Sequence, residues 1–264
     1  MQLRDKRILV SGASEGLGRA VAVALGAEGA CLGLLARSSA GLAQTATLAL
    51  EAGAAQVFVV KGDVSKPSAR ALAGRVARRL GGLDVLINNA GVHAFASVSE
   101  LPESILLNVM QVNLLGPLRL IQGALPHLRR SHGTVVNVGS SLAWRAIPQG
   151  GAYSASKAAL SRLGEALRDE ESARGLRVLQ FDPGVVLTGL RRHAMRHGVE
   201  LDDDPARLPY PRSAELTAQE LVHALNSGRS RYFSAAWPVR LWAKVLAPFF
   251  ASTLDARMRS GGGN

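Results

Sequence analysis

Seven short runs of aliphatic and β-branched residues recur along the chain with helix-like stretches between them. This alternation limits the fold more than any other feature. The runs are "RILVSG" from Arg7, "ACLGLLA" from Ala30, "QVFVVKGD" from Gln56, "LDVLINNAG" from Leu83, "GTVVNVGS" from Gly133, "RVLQFDPG" from Arg177 and "SRYFS" from Ser230. Most are apolar throughout, as strands covered on both faces are. Such strands alternating with helices predict an α/β fold: one doubly wound, mostly parallel sheet flanked by helices, with ligands bound at the carboxyl ends of the strands. Helical spacing is expected up to about Ala27, over "SAGLAQTATLALEAG" up to Gly53, from Pro67 along Leu72, Val76 and Leu80, over 105–130, and from Tyr153 to a stop at Gly175. Beyond Pro183 the pattern loosens, and residues from about 185 to 215 are expected to form a mobile substrate flap. Thr217 and Glu220 have capping-box spacing for the helix containing "LVHALNSG". A single domain is expected over 1–260, with a frayed tail at 261–264.

With 264 residues and 47% apolar content, the chain can bury a large core and is not a disordered polymer. Its 31 Lys and Arg against 20 Asp and Glu give a net charge of +11, which suits an anionic partner. The basic residues are dispersed through helices with no basic tail or aromatic ladder, so no nucleic-acid partner is expected. Cys31 is the single cysteine, which excludes an internal disulfide and a cysteine-rich metal site. His93, His193, His197 and His223 lack ligand spacing, and no metal is expected. No apolar leader precedes the first strand, from which a cytoplasmic location is expected. The apolar segment at about 237–254 is broken by Arg240, Lys244 and two prolines, short of the ~20 apolar residues of a membrane span. It is expected to pack as a flap or subunit contact in preference to lying on a membrane surface.

Between the first strand and first helix, "SGASEGLGRA" sets Gly12, Gly16 and Gly18 around Ser14, Glu15 and Leu17. Glycines there permit a tight turn, close approach of backbone to a pyrophosphate and close helix packing, while the helix N-terminus supplies N–H groups. The spacing differs from GxGxxG, and plain turn glycines are the alternative. After the second strand stand Arg37 and Ser38 where an NAD-binding acid is otherwise expected. A guanidinium and a hydroxyl suit the 2′-phosphate of NADP(H), which is therefore expected ahead of NAD(H). Asp63 ends the third strand, placed either to accept from an adenine amine or to cap its own turn.

Tyr153 and Lys157 are an i,i+4 pair on one helix face, ringed by Gly150, Gly151, Ala152, Ser154, Ala155, Ser156, Ala158 and Ala159. A phenol of ordinary pKa near 10 is a poor acid–base at neutral pH, and a neighbouring ammonium favours its ionised form. The pair is either a tuned proton donor or a ring packed on a lysine stem. Ser140 closes the fifth strand, where its hydroxyl is able to hold a carbonyl oxygen. Asn113 is an amide among apolar residues and asks for a partner.

Taken together these residues resemble the short-chain dehydrogenase/reductase family. The resemblance rests on Gly12, Gly16 and Gly18, Asp63 followed by Val64, "NNAG" at Asn88 to Gly91, Asn113, Ser140, "YSASK" at Tyr153 to Lys157, and Pro183-Gly184 with Thr188 following. It implies a Rossmann-type fold and a catalytic set of Asn113, Ser140, Tyr153 and Lys157. It further implies cofactor contacts from Asn89, Ala90 and Gly91, from Lys157 to the nicotinamide ribose, and from Pro183, Gly184, Val186 and Thr188 to the carboxamide side. Asn113 would help hold a water in the proton path. Glu15 departs from the basic residue that NADP-using relatives often carry, and the residues after 184 resemble the branch with a longer flap and apolar C-terminal segment. Family members usually join through the helices holding Asn113 and Tyr153, so a homodimer or homotetramer is expected.

The expected reaction is NADP(H)-linked interconversion of a ketone or aldehyde with its alcohol. His93, Phe95, Leu142, Trp144, Gln149, Leu190 and His193 are expected to wall the substrate site beside Ser140 and Tyr153. None is a fixed acid, which favours a small apolar substrate. A β-ketoacyl thioester reductase and an NADP-binding scaffold without turnover are the alternatives.

Overall fold

The structure, a computed structural model, describes residues 2–200, 204, 208 and 210–234. The segment at about 237–254, the tail at 261–264 and part of the expected flap lie outside the described residues.

All seven runs form strands of one sheet: β1 (Arg7–Ser11), β2 (Cys31–Ala36), β3 (Gln56–Lys61), β4 (Val85–Asn88), β6 (Thr134–Val138), β7 (Arg177–Pro183) and β9 (Arg231–Ser234). Their order is β3-β2-β1-β4-β6-β7-β9, with every neighbour parallel. The order reverses between β1 and β4, since β2 and β3 extend to one side and the later strands to the other. Such a reversal leaves a crevice beyond the strand ends, where ligands bind in doubly wound sheets.

Strand periodicity explains why the runs are apolar without alternation. Ile8, Val10, Val85, Ile87 and Val136 enter one core with Val21, Leu25, Leu221 and Leu225. Leu9 and Leu86, each between two of those positions, and Val135, beside Val136, enter the opposite core with Leu72, Val76, Leu120 and Leu128. Successive side chains point to opposite faces, so one strand feeds two cores. The first core uses α1 (Gly16–Ala27), α2 (Ser39–Ala52) and α7 (Ala214–Asn226); the second uses α3 (Ala69–Arg79) and α5 (Gly116–Arg130).

Helix α4 (Glu103–Met110) runs into α5 through a π-helical turn at Gln111–Leu115, and α6 (Gly151–Glu171) carries Tyr153. The chain leaves α6 through a short turn ending at Gly175, where the sequence placed its stop. Two features differ from the sequence reading. Two-residue strands β5 (Ala94–Phe95) and β8 (Met195–Arg196) pair in a second, parallel sheet, tying the flap to the segment after "NNAG". Helix α7 is capped by Ser213, whose Oγ accepts from Leu216 N–H at 3.1 Å. Thr217, the expected cap, lies inside the helix and donates to Ser213 O, while Glu220 binds Arg212 at 2.7 Å. A serine earlier at the helix start takes the free N–H first.

Helices α3 and α5 touch through backbone: a Cβ added to Gly123 would stand 2.0 Å from Arg70 O. Gly123→Ala is expected to push these helices apart and destabilise the protein by about 1–3 kcal/mol, read as a fall of several degrees in melting temperature.

Candidate active site

Serine and asparagine join β1 to β4 at the reversal point. Ser11 Oγ donates to Ile87 O at 3.2 Å and accepts from the N–H groups of Asn89 and Ala90 at 3.1 and 3.2 Å. Asn89 Nδ2 donates to Ser11 O at 3.0 Å and Gly12 O at 3.2 Å. Gly12 has φ +67, and a Cβ there would lie 2.7 Å from Ala90 Cα, so both conformation and space exclude a side chain. A Cβ on Gly18 would stand 2.1 Å from Gly12 O, which is the close packing expected of this glycine.

The N-terminus of α1 opens above this junction. Glu15 is its N-cap residue but makes no side-chain cap, and no acid lies in the first turn. The helix end therefore keeps its N–H groups and partial positive charge for an anion. Glu15 turns outward, 65% exposed, with Oε1 3.7 Å from His193 Nδ1, so its charge is directed away from the loop backbone. Ser14 O accepts from Arg19 at 2.5 Å. Leu17 packs against the first core. Thr188 lies over the loop, 3.2 Å from where a Gly16 Cβ would be.

Arg37 and Ser38 follow β2 and are exposed, and Arg37 forms no ion pair among the described residues. Ser38 Oγ caps α2 by accepting from Gly41 N–H at 3.1 Å, so its oxygen already has a structural task. Asp63 Oδ1 accepts from Ser65 N–H at 2.9 Å, which satisfies the turn reading of that residue. Val64 is buried, and Arg119 holds the same turn by donating to Ser65 O at 2.9 Å. After β7, Gly184 N–H bonds Ser234 O at 2.7 Å, and Val186 bridges to Arg212.

The chemical groups meet beyond β6. Asn113 is fully buried in the π-helical turn, an irregularity often found at functional sites. Its Oδ1 accepts from Val92 N–H at 2.9 Å, and its Nδ2 donates to Val92 O at 2.9 Å and Ser156 Oγ at 3.0 Å. Ser156 Oγ in turn donates to Tyr153 O at 2.7 Å. Both amide protons are thus spent on bracing, and the expected water contact has only the remaining lone pair of Oδ1.

Ser140 Oγ accepts from Leu142 N–H at 3.1 Å. Lys157 is buried, with Nζ donating to Val138 O at 2.8 Å and lying 5.7 Å from the Tyr153 ring centre. Burial pushes the phenol up to about 12, with the Ser140 hydroxyl opposing and Asp182 adding to the rise. Burial lowers Lys157 to about 8, against the pull of Asp182. The expectation that Lys157 makes this phenol acidic is therefore corrected for the ligand-free chain: desolvation of both groups outweighs their proximity.

His93 is sandwiched between two rings, with centres 4.0 Å from Tyr153 and 4.1 Å from Phe95 and interplanar angles of 13° and 14°. Burial lowers its pKa to about 4, so it is a neutral plate at physiological pH. Phe95 is 2% exposed and packs behind His93, so it is not at an open pocket wall. Arg191 lies 5.1 Å over the Phe95 ring. Trp144 is also set differently from expectation: its indole N–H donates to Asp182 at 3.2 Å and its ring packs against Arg231 and Phe233. His193 faces Glu15 on the glycine loop, while Gln149 and Leu190 are exposed and available to a ligand. Sequence reasoning missed Ser11 and Ser156 as site-building groups. Their signals were present, since one ends β1 and the other lies three residues after Tyr153.

A sequence model of the short chain dehydrogenases matches residues 6–197. The chain belongs to the short-chain dehydrogenase family. It is an oxidoreductase of the CH–OH/C=O class. Similar short-chain dehydrogenases include an uncharacterised oxidoreductase of Methylorubrum extorquens, 34% identical over 216 residues, with 81% of this chain and 87% of the relative covered. The 11-beta-hydroxysteroid dehydrogenase A of Sesamum indicum is 31% identical over 252 residues, covering 92% of this chain and 72% of that protein. Among solved structures, an alcohol dehydrogenase from Thermococcus sibiricus complexed with 5-hydroxy-NADP superposes with a TM-score of 0.77 at 29% identity, covering 89% of this chain and 97% of that one.

In a difference titration between the unmodified protein and Tyr153→Phe, no tyrosinate absorbance from Tyr153 is expected between pH 7 and 10. A step near pH 9 would contradict the burial argument.

Proposed function

We propose that this chain is an NADP(H)-dependent reductase of apolar ketones or aldehydes, with Tyr153 as proton donor. The observation that carries the reading is the burial of Ser140, Tyr153 and Lys157 together, with Lys157 Nζ 5.7 Å from the Tyr153 ring centre. When bound, the cofactor supplies hydride to the carbonyl carbon. The residues that would hold it are Gly12 to Gly18 and the α1 N-terminus for the pyrophosphate, Arg37 for the 2′-phosphate, and Asn89 to Gly91 with Val186 and Thr188 for the nicotinamide half. The uncapped helix end and the guanidinium of Arg37, which has no ion pair among the described residues, both fit an anionic ligand. The 5-hydroxy-NADP in the Thermococcus sibiricus structure supports the same choice.

Because Ser140 Oγ already accepts from Leu142, its own proton is free for the phenol oxygen, and the Tyr153 proton is free for a substrate oxygen. A phenol held near 12 is protonated at neutral pH. It remains a stronger acid than an ordinary alcohol, so proton transfer to a nascent alkoxide is downhill. Protonated Lys157 then faces the phenolate that forms. The exposed Leu190, and a His93 kept neutral by burial, support an apolar substrate. The hydroxysteroid named for the Sesamum indicum relative is of that kind. The longer flap, the apolar C-terminal segment and pairing of copies through the helices of Asn113 and Tyr153 belong to the same proposal.

NADPH oxidation with a panel of cyclohexanone, benzaldehyde, 9,10-phenanthrenequinone, an 11-ketosteroid and an acetoacetyl thioester tests it. Tyr153→Phe is expected to lower turnover about 10²–10⁴-fold while NADPH still binds; full turnover in that variant would refute the role of the phenol. Arg37→Ala is expected to weaken use of NADPH about 10–100-fold and leave NADH use nearly unchanged. Equal losses with both cofactors would remove the 2′-phosphate assignment.

A further inference from the structure

Asp182, the residue before Pro183-Gly184, is a fully buried carboxylate that the proposed chemistry does not use. It sits in β7 opposite Phe233 of β9. Two side-chain donors converge on it. Gln180 Nε2 reaches Oδ1 at 2.8 Å and Trp144 Nε1 reaches Oδ2 at 3.2 Å, while the backbone N–H of Ser140 favours its charge. A pocket that offers only donors suits an ionised carboxylate, which accepts at every lone pair, and opposes an amide, whose NH₂ would face another donor. Burial pushes the Asp182 pKa up, while these donors and Arg231 hold it down.

The residue before Ser140 carries the imprint of this group. A Cβ on Gly139 would lie 2.0 Å from Asp182 Oδ1 and 2.2 Å from Gln180 Nε2. The carboxylate thus occupies the place of a side chain at Gly139, whose own N–H bonds Phe181 O at 2.7 Å, leaving the backbone leading into Ser140 little freedom. At the far end of the turn Trp144 is fixed as well. Its ring lies 4.6 Å from the Arg231 guanidinium, which binds Ser161 at 2.6 Å and Glu165 at 3.0 Å on α6. One carboxylate therefore ties both ends of the 139–144 turn to β7, and through Arg231 to the helix that carries Tyr153.

We infer that Asp182 is a positioning residue for the proposed reaction: by fixing the Gly139–Trp144 turn it aims the Ser140 hydroxyl at the Tyr153 phenol. The inference rests on the reading of Ser140 and Tyr153 given above. It acts through Ser140, so its loss should matter only where Ser140 has its hydroxyl.

A double-mutant cycle with Asp182→Asn and Ser140→Ala tests this, using NADPH and whichever panel carbonyl the unmodified protein reduces fastest. Asp182→Asn alone is expected to lower kcat about 10–100-fold with the KM for NADPH nearly unchanged. In the Ser140→Ala background the same change is expected to lower kcat by less than about twofold. If the two losses multiply, or if KM for NADPH rises with no change in kcat, Asp182 is a structural group only and the inference falls. Should Asp182→Asn fail to fold, Trp144→Phe takes its place in the cycle, removing one donor and keeping the ring; the same non-additivity is expected and its absence overturns the inference. Failure of the underlying reading is separate, since it appears as retained turnover in Tyr153→Phe.

Discussion

The approach of Gly12 to Ala90 sets the geometry on which the rest of the site depends. Two parallel strand ends meet there at backbone distance, held by Ser11 and Asn89. From that junction a series of hydrogen bonds continues to the chemical groups. Val92, two residues beyond Ala90, is bonded on both its N–H and its C=O by Asn113; Asn113 bonds Ser156; Ser156 bonds Tyr153 O. The glycine loop and the tyrosine are therefore positioned by one connected frame. The bonds end on the main-chain oxygen of Tyr153, at the foot of the side chain that carries the phenol.

Burial dominates the electrostatics of this frame. Tyr153, Lys157 and Asp182 are all buried, and for each the loss of water favours the neutral form. The arrangement stores the phenol as an acid and leaves Lys157 close to its point of discharge. Among the described residues Lys157 has one hydrogen bond, to Val138 O, and the carboxylate that acts on it is Asp182. Neutral His93 covers the phenol ring and keeps a further cation away from Lys157. A ligand that brings charge into the crevice would change these balances more than any single side chain does.

Much of the fold was legible because strands buried on both faces leave unbroken apolar runs, and all seven runs are strands in the parallel sheet. Ser140 and Tyr153 were legible for a related reason: one follows a strand end and the other lies in the first turn of a helix, where small residues and glycines mark the sequence. Strands β5 and β8 were not legible. Two residues carry no periodicity, and their pairing joins Phe95 to Arg196 across the whole second half of the domain. The cap of α7 was missed because Thr217 and Glu220 matched the capping pattern while Ser213 lay earlier, and only geometry decides between them. Side-chain direction was the least readable property. Trp144 and His193 were expected at the substrate, yet an indole N–H seeks a buried carboxylate and an imidazole seeks the exposed Glu15. The ionisation of Tyr153 was misjudged because spacing reveals the ammonium one turn away but not the water excluded around both groups.

The most direct measurement is a crystal structure of the protein with NADP⁺ bound. The expected result has the pyrophosphate against the N-terminus of α1 and the nicotinamide in the crevice bordered by Ser140, Tyr153 and Lys157, with the phenol facing Ser140. A pyrophosphate bound elsewhere, or a phenol turned away from the nicotinamide, would contradict the connected frame and the proton-donor role built on it.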